Sequence, residues 1–414
     1  MKISPLANSL LTLLLAIPLM AQEKPRARDL GVPFDGAPGP NNAITDVAGV
    51  AVGHTTVIRG EGPLVVGEGP VRTGVTAILP RGSDSYEPSF AAWFPLNGNG
   101  EMTGTTWVEE SGLLTSPILI TNTHSVGMVH HATLQWMVEN QPGFRWALPV
   151  VAETYDGTLN DINGFHIQPE HVFAALNGAS SGPVVEGAVG GGTGMICNGF
   201  KGGIGTSSRT VSSEWGQYTV GVLVQCNYGS QAGLRIAGVP VGEQLIERGV
   251  LGRCLASEAE PSRSFLRGMA RCSEGSARVG GPGEEHGSII IVLATDAPLL
   301  PHQLERIIKR TTLGLGREGS IASNFSGDIF IAFSTANTGL EGEAGNARVE
   351  MIPNSRLDPL FLATIQATEE AVTNAMVAAE TMTGADYIRV NALPDDQLRE
   401  ILQEYGRLEP SPNN

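Results

Sequence analysis

Apolar positions along this chain recur with two periods, and the points where one period replaces the other outline its elements. Between Asn42 and about Val185, short β-branched runs alternate with stretches of helical spacing. "GVTAILP" and "SPILITNT" read as strands, and Ser125 to Asn140 reads as a helix carrying Val126, Val129, Leu134 and Met137. A glycine-dense passage follows from Gly187 to Ser208, and "YTVGVLVQCNYG" is then a strand ending at Asn227. From about Glu243 to His286 the chain is polar, with little periodicity after Leu255, and reads as an exposed linker. The apolar run 288–294 is a buried strand leading to a helix from about Pro301 to Leu315, with Leu304, Ile307, Ile308, Thr311 and Leu315 on one face. "DIFIAFST" is another strand. Asp358 as N-cap and Pro359 as first helical residue open a long helix. It carries Leu362, Ile365, Val372, Met376 and Ala379 towards a core and stops near Gly384. With no internal repeat and no heptad run, the class is mixed α and β, helices packed on sheets.

Composition narrows this. The chain has 414 residues, 41% hydrophobic and 16% charged, which is enough for a substantial core. A net charge of −16 removes the basic surface that a nucleic-acid partner requires. Lys2 followed by the apolar stretch Leu10 to Met20 is a signal-peptide pattern, too short to span a bilayer, with a cleavage site at Ala21-Gln22. The mature protein is therefore expected in a periplasm or outside the cell, with no membrane span. That compartment tolerates disulfides. Of the four cysteines, Cys254 and Cys272 flank a loop-like stretch and are candidates to pair, although three connectivities are open.

Several familiar chemistries find no support. The glycine-dense passage has neither G-x-x-x-x-G-K-[ST] nor a G-x-G-x-x-G between strand and helix, so it reads as flexible backbone lining a site. His130 and His131 are adjacent and point apart on a helix, no H-E-x-x-H occurs, and no metal or other cofactor is expected. No G-x-S-x-G elbow is present. What stands out is Gly287-Ser288 directly before the buried strand. A serine whose own amide is cut becomes an N-terminal residue with a hydroxyl and a free α-amine. With a reference pKa of roughly 7.7–8.0, that amine can act as general base without a histidine.

The stretches "NAITDVAGVAVGHTT", "RTGVTAILPRG", "VVAETYDGTLNDI", "GAVGGGTGMICNGFKGGIGTSSR", "VQCNYG", "HGSIIIVLATDAPL" and "NFSGDIFIAFSTAN" closely resemble those of the L-aminopeptidase D-esterase family, which includes the β-peptidyl aminopeptidases. The resemblance runs from about Asn42 to Asn337 and more loosely beyond. It implies an αββα sandwich like that of N-terminal nucleophile hydrolases with different connectivity. It also implies a single catalytic domain cut before its serine. Residues 1–21 would then be the signal peptide, 22–287 an α chain and 288–414 a β chain, the αβ units forming a homotetramer. By motif, Ser288 resembles the nucleophile, Asn227 the oxyanion donor and Tyr155 a hydroxyl donor near the oxyanion or leaving group. Glu153, two residues earlier and expected on the same strand face, resembles the carboxylate that holds the substrate's free amine. Ser326 and Asp328 match a Ser-Gly-acid element that supports the nucleophile. The β-peptidyl members tend to have Glu where Asp328 stands, which favours ordinary L-amino acids at the N-terminus of a peptide, amide or ester substrate. The Ala- and Gly-rich walls suggest a small pocket. Two other readings compete. One is a self-processing acyltransferase of the ornithine acetyltransferase type, which uses threonine. The other is a binding protein without catalysis on the same scaffold.

Overall fold

The computed structural model describes residues 24–83, 85–214, 216–259, 261–273, 287–340 and 345–410. The expected signal peptide and the stretch 274–286 lie outside the described residues. In chain order the strands are β1 (Ala51–Arg59), β2 (Val71–Leu79), β3 (Ser89–Pro95), β4 (Leu113–Leu114), β5 (Ile118–Asn122), β6 (Val150–Thr154), β7 (Ile196–Cys197), β8 (Phe200–Lys201), β9 (Gly203–Ser213) and β10 (Gly216–Asn227). They continue with β11 (Arg253–Leu255), β12 (Ser288–Thr295), β13 (Ile329–Ser334), β14 (Met382–Thr383) and β15 (Ile388–Val390). The helices are α1 (Thr105–Ser111), α2 (Val126–Asn140), α3 (Pro169–Asn177), α4 (Val241–Glu247), α5 (Pro301–Ile308), α6 (Thr311–Arg317), α7 (Asp358–Val377) and α8 (Asp395–Glu404).

Two sheets carry the architecture, one of four strands in the order β1-β2-β5-β6 and one of six in the order β4-β3-β13-β12-β10-β9. Strand β12 explains how they stack. Every residue of it is buried, so alternation divides it between two cores rather than between core and water. Ile290, Val292 and Ala294 join Ile78, Ile120 and Ala152 of the smaller sheet. Ile289, Ile291 and Leu293 face Leu304, Ile307, Ala367 and Ala371 of α5 and α7. On the far side of the smaller sheet, Val75, Leu119 and Val151 pack on Val129, Trp136 and Val172 of α2 and α3. The layers are thus αββα, as the resemblance implies.

Three expectations change. The helix read over 301–315 is two helices broken at Lys309 and Arg310, although its apolar face is buried throughout. Helix α7 starts with Asp358 already helical, Leu357 being the cap, and ends at Val377 rather than near Gly384. Leu362 is 49% exposed, and the buried face is built of small residues such as Ala363, Ala367, Ala371 and Ala375. That narrow face lets α7 lie so close to β9 that a side chain on Gly205 would collide with the Ala371 carbonyl.

The supposed linker is docked, at least over 253–273. β11 pairs antiparallel with β15, Leu266 is buried with Ile388 and Val390, and Arg263 forms an ion pair with Asp386 at 2.7 Å. Cys254 and Cys272 are joined, as expected, and so are Cys197 and Cys226. The segment is held by single anchors rather than a repeating face, so periodicity missed it.

Candidate functional site

Six residues singled out in the sequence come together where the two sheets meet. Ser288 begins β12, and the antiparallel register sets it opposite Asn227, the last residue of β10. Both are buried. The parallel partner β13 brings in the Ser-Gly-acid element. The Gly327 N–H donates to Ser288 Oγ at 3.1 Å. Ser326 Oγ donates to Asp328 Oδ1 at 2.7 Å, and the Ile289 N–H reaches the same oxygen at 3.2 Å. Gly287, with φ 112°, lies in the region that favours glycine. A side chain on it would collide with the Asn227 carbonyl and stand 3.4 Å from Asn227 Nδ2.

The Asn227 side chain is fixed at both ends. Its Oδ1 accepts the Ile196 N–H at 2.8 Å, and its Nδ2 donates to the Tyr155 carbonyl at 3.0 Å. Tyr155 stands one residue beyond β6. Its side chain is 49% exposed while that of Glu153 is buried, so the two do not share a strand face as expected. The strand ends between them, and Tyr155 swings out beside Gly157. Glu153 accepts from the Glu101 N–H at 3.1 Å and from the Thr123 hydroxyl. Neither donor is cationic. Burial pushes the Glu153 carboxyl up, with those two bonds opposing. Gly100 links this carboxylate to the serine, since a Cβ there would lie 3.4 Å from Glu153 Oε1 and 3.2 Å from Gly327 Cα.

Behind Tyr155, Asp156 is fully buried. It accepts from Asn160 Nδ2 at 3.0 Å, while its second oxygen has no hydrogen-bond partner. Burial pushes its pKa up to about 7.

Several residues at this place gave no sequence signal of function. Asn97 makes two bonds to Asp328, Nδ2 to Oδ2 at 3.1 Å and Oδ1 from the backbone N–H at 2.6 Å. The Asn-Gly-Asn-Gly turn at 97–100 was its one visible mark. The glycine-dense passage is not flexible lining. Residues 190–195 are buried, and side chains on Gly191, Gly192 or Gly194 would run into the backbone of β5, β9 or β2. Its single charged residue, Lys201, is buried as well. Among the described residues no group of three or more His, Cys, Asp or Glu is placed to hold a metal ion. A cavity of about 340 Å³ lined by Tyr218, Pro298, Met351 and Arg356 lies at the other end of β10 and takes no part here.

The sequence profile of peptidase family S58 matches residues 42–390. Beta-peptidyl aminopeptidase BapA of Sphingosinicella microcystinivorans is 55% identical over 387 residues, covering 93% of this chain and 94% of that protein. Its counterpart from Sphingosinicella xenopeptidilytica is 48% identical, with 96% of each chain covered. Among solved structures, the L-aminopeptidase D-Ala-esterase/amidase of Ochrobactrum anthropi, described as a variant of the Ntn hydrolase fold, superposes with a TM-score of 0.80. It is 48% identical, with 93% of this chain and 100% of that one covered. A Burkholderia sp. beta-aminopeptidase gives 0.78 at 45% identity, over 92% and 99% of the two chains.

Proposed function

Because the chain belongs to peptidase family S58 and is a serine aminopeptidase, we propose that Ser288 is its nucleophile, made by cutting the Gly287–Ser288 bond. One observation carries this reading: a buried serine hydroxyl, a glycine of positive φ and the Asn227 amide converge on one peptide bond. In that step Ser288 Oγ attacks the Gly287 carbonyl carbon and the C–N bond breaks. The acyl group passes to oxygen as an ester, and the hydroxyl proton goes to the nitrogen. Water then hydrolyses the ester, leaving a Gly287 carboxylate and a free α-amine on Ser288.

In turnover that amine takes the proton from Oγ as Oγ adds to the substrate carbonyl, and returns it to the leaving group. Asn227 Nδ2 donates to the developing oxyanion, a contact worth about 10²–10³ in rate. The hydroxyl of Tyr155, a residue about half exposed, serves the oxyanion or leaving group. Ser326 and Asp328 hold the start of β12 and its amine. Glu153 takes the substrate's ammonium, so a free N-terminal amine is required and one residue leaves at a time. Substrates are peptides, amides or esters of this kind.

The relatives named for β-peptides favour a second reading for the departing residue, a β-amino acid. Asp328 is engaged by Ser326 and by Asn97, so it serves as a support for the nucleophile in either reading. Matched nitroanilides of α- and β-alanine separate the two. Export to a periplasm or beyond, which the two disulfides support, and assembly of αβ units into a homotetramer complete the proposal. The decisive test is a denaturing gel of the mature protein with N-terminal sequencing. Two chains are expected, the smaller beginning at Ser288, and Ser288→Ala should remain whole and inactive. Any other internal N-terminus rejects the assignment.

A further inference from the structure

The Asn227 amide is joined to a buried cation through one peptide group. The Ile196 N–H that holds Asn227 Oδ1 at 2.8 Å belongs to the Met195–Ile196 peptide. The carbonyl of that same peptide accepts from Lys201 Nζ at 2.7 Å and from the Gly202 N–H at 3.1 Å. Lys201 also donates to the Gly202 carbonyl at 2.7 Å and points at that of Gly192 at 3.5 Å. Its shell is therefore backbone carbonyls, without a carboxylate. Cross-strand pairing of Ile196 with Lys201 fixes this geometry.

Resting on the reading of Asn227 as the oxyanion donor, we propose that Lys201 is a positioning residue, its ammonium holding and polarising the Met195–Ile196 peptide so that Asn227 presents to the substrate, as a strong donor, the Nδ2 N–H that the Tyr155 carbonyl does not take. The physical reason is cooperative. A cation on the carbonyl oxygen draws electron density through the peptide and makes its N–H a better donor. The same happens at the next amide when that N–H is accepted by Asn227 Oδ1. The bond also settles which end of Asn227 is oxygen, leaving Nδ2 for the substrate side. An unpaired buried ammonium is costly. Burial lowers the Lys201 pKa to about 7, with repulsion from Lys24 adding to it. Lys24 is itself held by the Ala378 carbonyl and by Glu380.

The test is a double-mutant cycle on the full chain, with turnover normalised to the fraction cut before Ser288. Lys201→Gln keeps donors without charge. It should lower kcat about tenfold, leave KM within about twofold, and have no further effect in an Asn227→Ala background. An unchanged kcat in folded Lys201→Gln, or an equal loss in both backgrounds, overturns the proposal. If Asn227→Ala alone retains full kcat, it is the oxyanion reading that has failed, a separable outcome. Should Lys201→Gln not fold, Lys201→Met, an apolar chain of similar length without the cation, takes its place in the same cycle, and an unchanged kcat in it, or an equal loss in both backgrounds, overturns the proposal.

Discussion

Glu153 is a buried acid whose two hydrogen-bond donors are both uncharged, which makes it a sensor of cations. Its donors are one backbone amide and one hydroxyl, and burial pushes its carboxyl up. A substrate ammonium would supply the missing counter-charge. Glu153→Gln is therefore expected to impair cleavage of free-amine substrates while leaving the cut at Ser288 intact, and N-acetylation of a good substrate should lower kcat/KM far more than tenfold. Equal rates on acetylated and free substrates, read by chromogenic assay, would remove Glu153 as the anchor. Asp156 makes a different prediction. Its native pKa of about 7 lies above the ordinary 3.8, so the folded state holds a proton that the unfolded chain has released across that interval. Stability fully present below about pH 4 is then lost progressively up to about pH 7, on the order of 4 kcal/mol for this group. Asp156→Asn should accordingly gain in Tm relative to wild type as pH is raised from about 4 to 7 and hold level above, and a difference that does not vary with pH over that window counts against the buried acid. Gly287-Ser288 stands out in the chain because it heads a continuous apolar run, whereas Asn227, Ser326 and Asp328 are legible only through motif resemblance, a strand-end Asn or a Ser-Gly-Asp turn alone being ordinary turn chemistry. Asn97, Ile196 and Lys201 could not be located, since they work through turns and backbone atoms that leave no pattern of residue types.

Elements were legible in proportion to how regularly they bury their side chains. β12 and β10 announce themselves as continuous apolar runs because two cores claim them. Helix α7 buries Val372 and Met376 as expected, with Ala379 buried just beyond its end, but leaves Leu362 exposed. Large residues drew attention to Leu362, while close approach to β9 selects alanines. The stretch 253–273 had no period to read. It is held by the Cys254–Cys272 bridge and by Arg263, whose guanidinium also donates to the Gly157 and Thr158 carbonyls just beyond Tyr155. Closing a loop of sequence separation 18 removes unfolded-state entropy. Replacing both cysteines by serine should therefore cost about 3 kcal/mol, measured by denaturant melting without reductant. A loss below about 0.5 kcal/mol would mean the segment's docking rests on Arg263 and Leu266 instead.

At the scale of the whole molecule the two chains expected after the cut are interleaved. β12 pairs with β10 on one side and β13 on the other, and β13 in turn pairs with β3. The smaller chain thus supplies two central strands of a six-stranded sheet whose remaining members belong to the larger. Its helices α5 to α7 roof the same sheet. The larger piece keeps the four-stranded sheet and its core against α2 and α3 to itself, but the cores on both faces of the six-stranded sheet are built from residues of both pieces. The consequence concerns time rather than shape. The uncut chain can find this arrangement because all its strands and helices lie on one covalent thread, whereas the mature enzyme, once opened, would have to reassemble a sheet from two strangers in solution. If the chain is cut as proposed, its working life is set by the rate of its first unfolding, each molecule passing through its folding pathway once.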